Sequence, residues 1–165
     1  MAENHIYSLK SVKFGTPTGT ATMPSATGLT LLPKTEKGSV VIEESEATDN
    51  DFFVDQSPYP IESIPSDAGT WSAVARFNDI QYATLAIFKG GVGDDSGFTP
   101  ATGWQTIRKA LEFETDSGHI VDFYNAACKV RFLGLGGRDK LASMELMAKP
   151  LICADGTAPY AIRPV

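Results

Sequence analysis

The chain has 165 residues, 42% of them hydrophobic and 21% charged, and its 14 Lys and Arg against 20 Asp and Glu leave a net charge of −6. That length and balance fit one globular domain, 1–165, able to bury roughly 70% of its unfolded surface, and the acidic excess argues against tight binding to phosphate backbones, which needs clustered cations. Cys128 and Cys153 are too few for a disulfide scaffold and read as buried thiols, the start Met1-Ala2-Glu3-Asn4-His5 lacks the basic and apolar parts of a signal peptide, and no apolar run reaches membrane-spanning length, so a soluble protein made in a cytosol is expected.

In chain order, Ile6 to Phe14 alternates around Leu9, Val12 and Phe14 and predicts a first strand. Residues 15–38 change character: Gly15-Thr16-Pro17-Thr18-Gly19-Thr20-Ala21-Thr22-Met23-Pro24 has no helical period and two prolines. This stretch predicts a mobile arm of the kind that is usually functional, with Leu29, Leu31 and Leu32 as anchoring points. Ser39 to Ala47 alternates again. From Glu43 to Asp67 there are eight acidic residues and no Lys or Arg, interleaved with Phe52, Phe53, Tyr59 and Ile61. Two readings of this extended acidic hairpin stand side by side. Its aromatics fold back on their own core, or they are apolar anchors inside an acidic rim, offered to a neighbour.

The clearest helix signals lie at about 78–89. Asn78 suits an N-cap, Gln81 the reciprocal capping position, and Phe77 with Tyr82 a hydrophobic staple. Lys89 matches the dipole at the far end, and Gly90-Gly91 supply a left-handed stop. Ile80, Ala83, Thr84 and Ile87 form one face, with Leu85 and Phe88 a second apolar ridge, so the helix is expected to plug against a sheet. Trp71, Ala73 and Ala75 lead into it as one face of a strand. Val92 to Gly103 reads as a loop. Trp104 to Thr115, the turn Asp116-Ser117-Gly118 and His119 to Ala126 make the strongest hairpin, with Gly118 as its αL residue. Cys128 to Leu133 is expected to pair with Asp139 to Ala148 across Gly134-Leu135-Gly136-Gly137-Arg138, and Asp155-Gly156 turns into a last edge strand, Tyr160 to Val165. The fold class is mainly β: an antiparallel β-sandwich or barrel with one flanking α-helix and long loops.

The residue types that carry chemistry are sparse. His5 and His119 are the only histidines, the first near an end expected to fray and the second beside a turn, and both read as satisfied or solvent-facing histidines and not as the base of a hydrolytic triad. Two cysteines and two scattered histidines lack zinc-ligand spacing. Asp49-Asn50-Asp51 and Asp94-Asp95 lack the glycine turn and distal Glu of a calcium loop, and Gly134-Leu135-Gly136-Gly137 fits no nucleotide-binding fingerprint. No enzyme, cofactor or metal is read from the sequence. The charge layout says more: 43–67 is wholly acidic, whereas Lys129, Arg131, Arg138, Lys140 and Lys149 fall within 128–150. Both sets can be solvated faces, or the two poles can pair head to tail between copies.

The order of parts resembles the tail tube proteins of long-tailed bacteriophages: a strand, a long arm, an acidic hairpin, a strand into one helix ending in Gly-Gly, then several C-terminal strands. Asn78 to Gly91 and Leu141 to Tyr160, with Ala148-Lys149-Pro150-Leu151 and Asp155-Gly156-Thr157-Ala158-Pro159, carry the likeness. The resemblance implies a virion protein whose subunits form six-membered rings stacked into a tube, an architecture shared with type VI secretion tubes. Its partners would be copies of itself and other tail proteins. DNA would pass through an acidic lumen without specific binding, and no membrane would be involved. Residues 43–67 and 15–38 match the family's bridging hairpin and arm. Phe52, Phe53 and Tyr59, with Arg131, Arg138 and Lys140 on the basic side, are the expected subunit contacts. Two other classes remain open: a ligand-binding β-sandwich (a carbohydrate-binding or virion decoration module) using Trp71 or Trp104 as an aromatic platform, and an enzyme with a carboxylate pair among the loop acids.

Overall fold

A computed structural model describes residues 8–53, 55, 60–67, 69–78, 81–103, 105–133 and 143–165. Twelve strands and one helix follow in order: β1 (Leu9–Gly15), β2 (Thr30–Leu31), β3 (Val41–Glu44), β4 (Thr48–Phe52), β5 (Glu62–Asp67), β6 (Trp71–Phe77), α1 (Tyr82–Lys89), β7 (Gly91–Asp94), β8 (Gly97–Pro100), β9 (Ile107–Thr115), β10 (His119–Phe132), β11 (Met144–Pro150) and β12 (Tyr160–Pro164). The fold is mainly β and antiparallel with a single helix, as the alternation predicts.

The main sheet runs β2-β1-β9-β10-β11-β6-β3, with β12 added beside β10. Its centre is β10, whose one edge holds β9 and whose other edge changes partner: 119–123 pair with β12, and 126–132 pair with β11. The changeover is a bulge, because Tyr124 and Asn125 together face the single residue Ala110 of β9. The bulge shifts the inward parity from Val121 and Phe123 to Ala126 and Cys128, all buried in the core. The backbone groups freed there are met by loops: Tyr124 N–H donates to Pro159 O and Leu151 N–H to Asn125 O. A strand that bends and switches neighbours lets one sheet curl around its own core.

The core is built from Phe14, Phe77, Leu111, Phe113, Phe123, Met144 and Leu146, with Leu85 and Phe88 from the helix. Phe113 and Phe123 meet edge to face at 5.4 Å, and Phe14 and Phe88 do so at 5.0 Å. The helix plugs against the sheet as expected, but it is shorter than 78–89. It begins at Tyr82 with Gln81 in the N-cap position and without a side-chain cap. Asn78 is not the cap: strand pairing runs through Phe77, opposite Met144, so Asn78 is still leaving β6 when the capping geometry would be required. At the other end Gly90, at φ 75°, donates to Ala86 O and closes the helix. Residues 92–103, expected as a loop, hold the β7–β8 hairpin, turned at Asp94-Asp95-Ser96, where Asp94 Oδ1 accepts from Ser96 N–H at 2.8 Å. Gly93 lies against the first turn of the helix, where a Cβ would fall 2.1 Å from the Tyr82 carbonyl oxygen, which explains a strand so poor in side chains.

The expected arm at 15–38 is tied to the body at three points. Gly19 O accepts from Ala154 N–H, Leu32 N–H donates to Val12 O with Leu32 buried, and Glu36 N–H donates to Arg76 O beside the Thr35–Phe77 bridge. Residues 30–36 therefore span from β1 at one end of the sheet to β6 near the other, giving the body a barrel-like closure. Leu32 supplies the apolar reason, since its burial in the core holds the crossing strip in place. The turn after β9 is as read from the sequence: Gly118 has φ 77°, and a Cβ there meets nothing within 4 Å. Gly118→Ala should therefore cost about 1 kcal/mol through backbone strain alone, seen as a lower midpoint with an unchanged slope in urea denaturation.

Candidate assembly surface

The acidic segment forms its own two-stranded sheet, β4 with β5, separate from the main sheet. The local sequence explains why. Thr48-Asp49-Asn50-Asp51-Phe52 gives the body no apolar stripe to bury, so the strands pair only with each other. Register divides the ribbon into two faces. Asn50 opposes Ile64 and Phe52 opposes Glu62 on one face; Asp51 opposes Ser63 on the other. Phe52 and Ile64 are thus diagonal neighbours on one side, while Asp49 and Asp51 occupy the reverse. All residues of β4 are exposed, and Phe53 and Ile61 beyond the paired ends are 60% and 65% accessible. Phe52 and Phe53 are 50% and 60% exposed and stand outside the core cluster, so they do not fold back on the protein's own core. Tyr59 lies outside the described residues. A lone two-stranded ribbon is marginal in water, and one that exposes this much apolar surface has the character of a surface to be covered.

Of the basic residues expected at the opposite pole, Arg138 and Lys140 lie outside the described residues. Arg131, on β10, is held within the chain. It donates through Nε to Glu145 at 2.6 Å, while Arg76 donates to the second oxygen of the same carboxylate at 3.1 Å. Glu145 is 3% exposed. Burial pushes its carboxyl pKa up, but the two arginines outweigh that and hold it below the ordinary Glu value. A depressed folded-state pKa stabilises above the unfolded value and loses that contribution as pH falls through the folded one. Both guanidinium groups are about half exposed and screened by water, so Glu145→Gln should lose only about 1 kcal/mol at neutral pH. The gap to wild type should close in acid, measurable by urea titration across pH.

A second charged row crosses four strands on the outer face of the barrel. Arg163 of β12 donates to Asp122 of β10 at 2.6 Å and to Glu112 of β9 at 3.0 Å. Lys13 of β1 donates to the other oxygen of Glu112 at 2.7 Å, and Lys10 closes the row on Glu114 at 2.6 Å. Asp122 is 1% exposed, and its Oδ1 has no hydrogen-bond partner. Burial therefore raises its pKa above the usual carboxylate range despite Arg163. Sequence reasoning missed this row, although a signal was present: the turn at 116–118 fixes a register in which Glu112 and Asp122 stand directly opposite, and two facing carboxylates need a cation between them.

Neither a scan against protein-family models nor a search of curated proteins finds a match for this chain. The site is accordingly read from its own geometry. Among the described residues no group of three or more His, Cys, Asp or Glu is placed to hold a metal, and no helix is long and apolar enough to cross a membrane. Cys128 and Cys153 are both buried and free, with burial pushing the Cys128 thiol up to about 12. His119 sits at the hairpin turn near Ser117, 3.4 Å from its hydroxyl. Trp71, one of the two aromatic platform residues considered for a sugar-binding module, is packed on Tyr160 at 4.5 Å and against the core; Trp104 lies outside the described residues.

Between the C-terminal end of α1 and the β9/β10 sheet runs a groove of about 500 Å³. Phe88, Ile107, Cys128 and Val130 line it, and Lys89 and Lys129 stand exposed at its margin. Among the described residues no Asp or Glu lines it. Lys89 lies over the Phe132 ring, 5.1 Å from its centroid, and among the described residues neither lysine is paired with a carboxylate.

Proposed function

We propose that this chain is a structural subunit of a phage or prophage tail tube that self-assembles into stacked hexameric rings and forms a conduit for DNA. The observation that carries the reading is the β4–β5 hairpin, which presents Phe52, Phe53, Ile61 and Ile64 to the outside amid carboxylates and makes its strand pairing apart from the body. Such a surface calls for a neighbouring protein. The main sheet supports the same conclusion. Among the described residues β3 pairs only with β6 and β12 only with β10, leaving edges that a monomer would have to protect and a ring would pair. The net charge of −6 suits a channel through which a polyanion slides without sticking. The order of parts resembling tail tube proteins supplies the ring and tube.

Negative-stain electron microscopy of the purified protein, with light scattering over a range of concentrations, tests the proposal. Rings or tubes with a central hole are expected. A monodisperse monomer at every concentration would reject it.

A further inference from the structure

We infer that the β4–β5 hairpin of one copy seats in the groove between α1 and the β9/β10 sheet of a second copy, with Phe52 entering the groove and Glu62, beside it on the same face of the ribbon, meeting Lys89 and Lys129. The inference rests on the self-assembly reading above and names its socket. The two surfaces match in chemistry. Phe52 stands directly opposite Glu62 on one face of the ribbon, and Glu62 is exposed and, among the described residues, without a cation partner. The groove offers apolar walls with two ammonium groups at the margin and, among the described residues, no lining carboxylate. Opposite charge at a rim steers encounter and fixes register, while the apolar centre supplies the hold. The size is suitable, since about 500 Å³ lies within the ~300–1,000 Å³ of clefts that enclose organic groups.

The occupant comes from a second copy, because within the chain β4 is exposed along its whole length and no described residue of the hairpin lines the groove. Hairpin and groove are different surfaces of one molecule, so the contact is heterologous: it leaves one of each free and propagates until a rotation closes it.

Charge exchange between full-length variants is the test. Lys89→Glu with Lys129→Glu gives a copy with carboxylates at the groove margin as well as beside Phe52; Asn50→Lys with Glu62→Lys gives one with ammonium groups at the groove margin as well as on the Phe52 face of the ribbon. All four positions are exposed, so circular dichroism should match wild type, and loss of the Lys89 contacts with the Phe132 ring and the helix dipole should lower the Tm of that variant by no more than about 8 °C. Each variant alone should need about a 100-fold higher concentration to assemble than wild type, and an equimolar mixture should recover assembly, because the charges beside each Phe52 then meet a groove margin of opposite sign. Assembly of the lysine-reversed variant at wild-type concentrations would overturn the groove as the socket while leaving self-assembly standing. Folded variants whose mixture stays monomeric would overturn the pairing as well. A wild-type protein that never assembles would bring down both the socket and the function it serves.

Discussion

Aspartate at both Phe52 and Ile64 should abolish self-association and leave the folded monomer intact. Each side chain sits on the same face of the β4–β5 ribbon and is about half exposed in the free subunit. Covering a large apolar side chain contributes ~1.5–3 kcal/mol, and the substitution also forces a charge into the contact. The combined loss corresponds to at least a 100-fold rise in the concentration needed for assembly. Neither group belongs to the core cluster, so any loss should be confined to the ribbon and Tm should stay within about 2 °C of wild type. Light scattering and calorimetry on the same preparation separate the two effects. A fall in Tm with assembly retained would mean that the ribbon serves the fold and not the contact.

Replacing Arg163 by Met should act in the opposite sense, on stability and not on assembly. Arg163 is the cation between Asp122 and Glu112, and Asp122 has almost no contact with water. Methionine keeps most of the stem packing but leaves two facing carboxylates, one of them deeply buried, without their shared partner. Full removal of a partner from a buried pair costs ~3–5 kcal/mol; Arg163 is 44% exposed, so water moderates the loss to about 2 kcal/mol at neutral pH. The pH dependence identifies the cause. Burial already raises the Asp122 pKa, so the folded state holds its proton more firmly than the unfolded chain and stability falls as pH climbs from the unfolded carboxylate value through the folded one. Without Arg163 the pKa rises further, and the defect relative to wild type should be small near about pH 4 and full near about pH 7. A defect of equal size at both values would assign the role of Arg163 to packing.

These two sites differ in how far they could be read beforehand. The hairpin was legible because Phe52 and Phe53 interrupt a run of acids, a composition that fails to supply a strand with an inward apolar face. The second half of the protein was legible for the opposite reason: Leu111, Phe113, Val121 and Phe123 alternate around a turn whose glycine sets the register. Alternation broke down at Tyr124-Asn125, where a bulge changes parity and the expected break before Cys128 is instead a continuous strand. The helix start was misplaced because Asn78 and Gln81 carry capping chemistry that the pairing of Phe77 with Met144 overrides. Val92 to Gly103 looked like a loop because its glycines answer to the close approach of the helix backbone and not to any side-chain pattern. The partner of Arg131 was hidden for want of a register: only the pairing of β10 with β11 sets it beside Glu145.

The closure of the barrel by residues 30–36 sets a timetable for synthesis. Val12 finds its sheet partner in Phe113, and the strip after β2 must reach Arg76 and Phe77 on β6, which in turn lean on β11. At ~5–20 residues per second the first strand waits ~5–20 s for β9 to be made, and pairings so distant in sequence form slowly. The acidic ribbon, whose strands are neighbours in the chain, needs no such delay. Its carboxylates are then in place to keep the exposed rings of Phe52 and Phe53 apart from those of other nascent chains while the long-range pairings of the main sheet are still to be made.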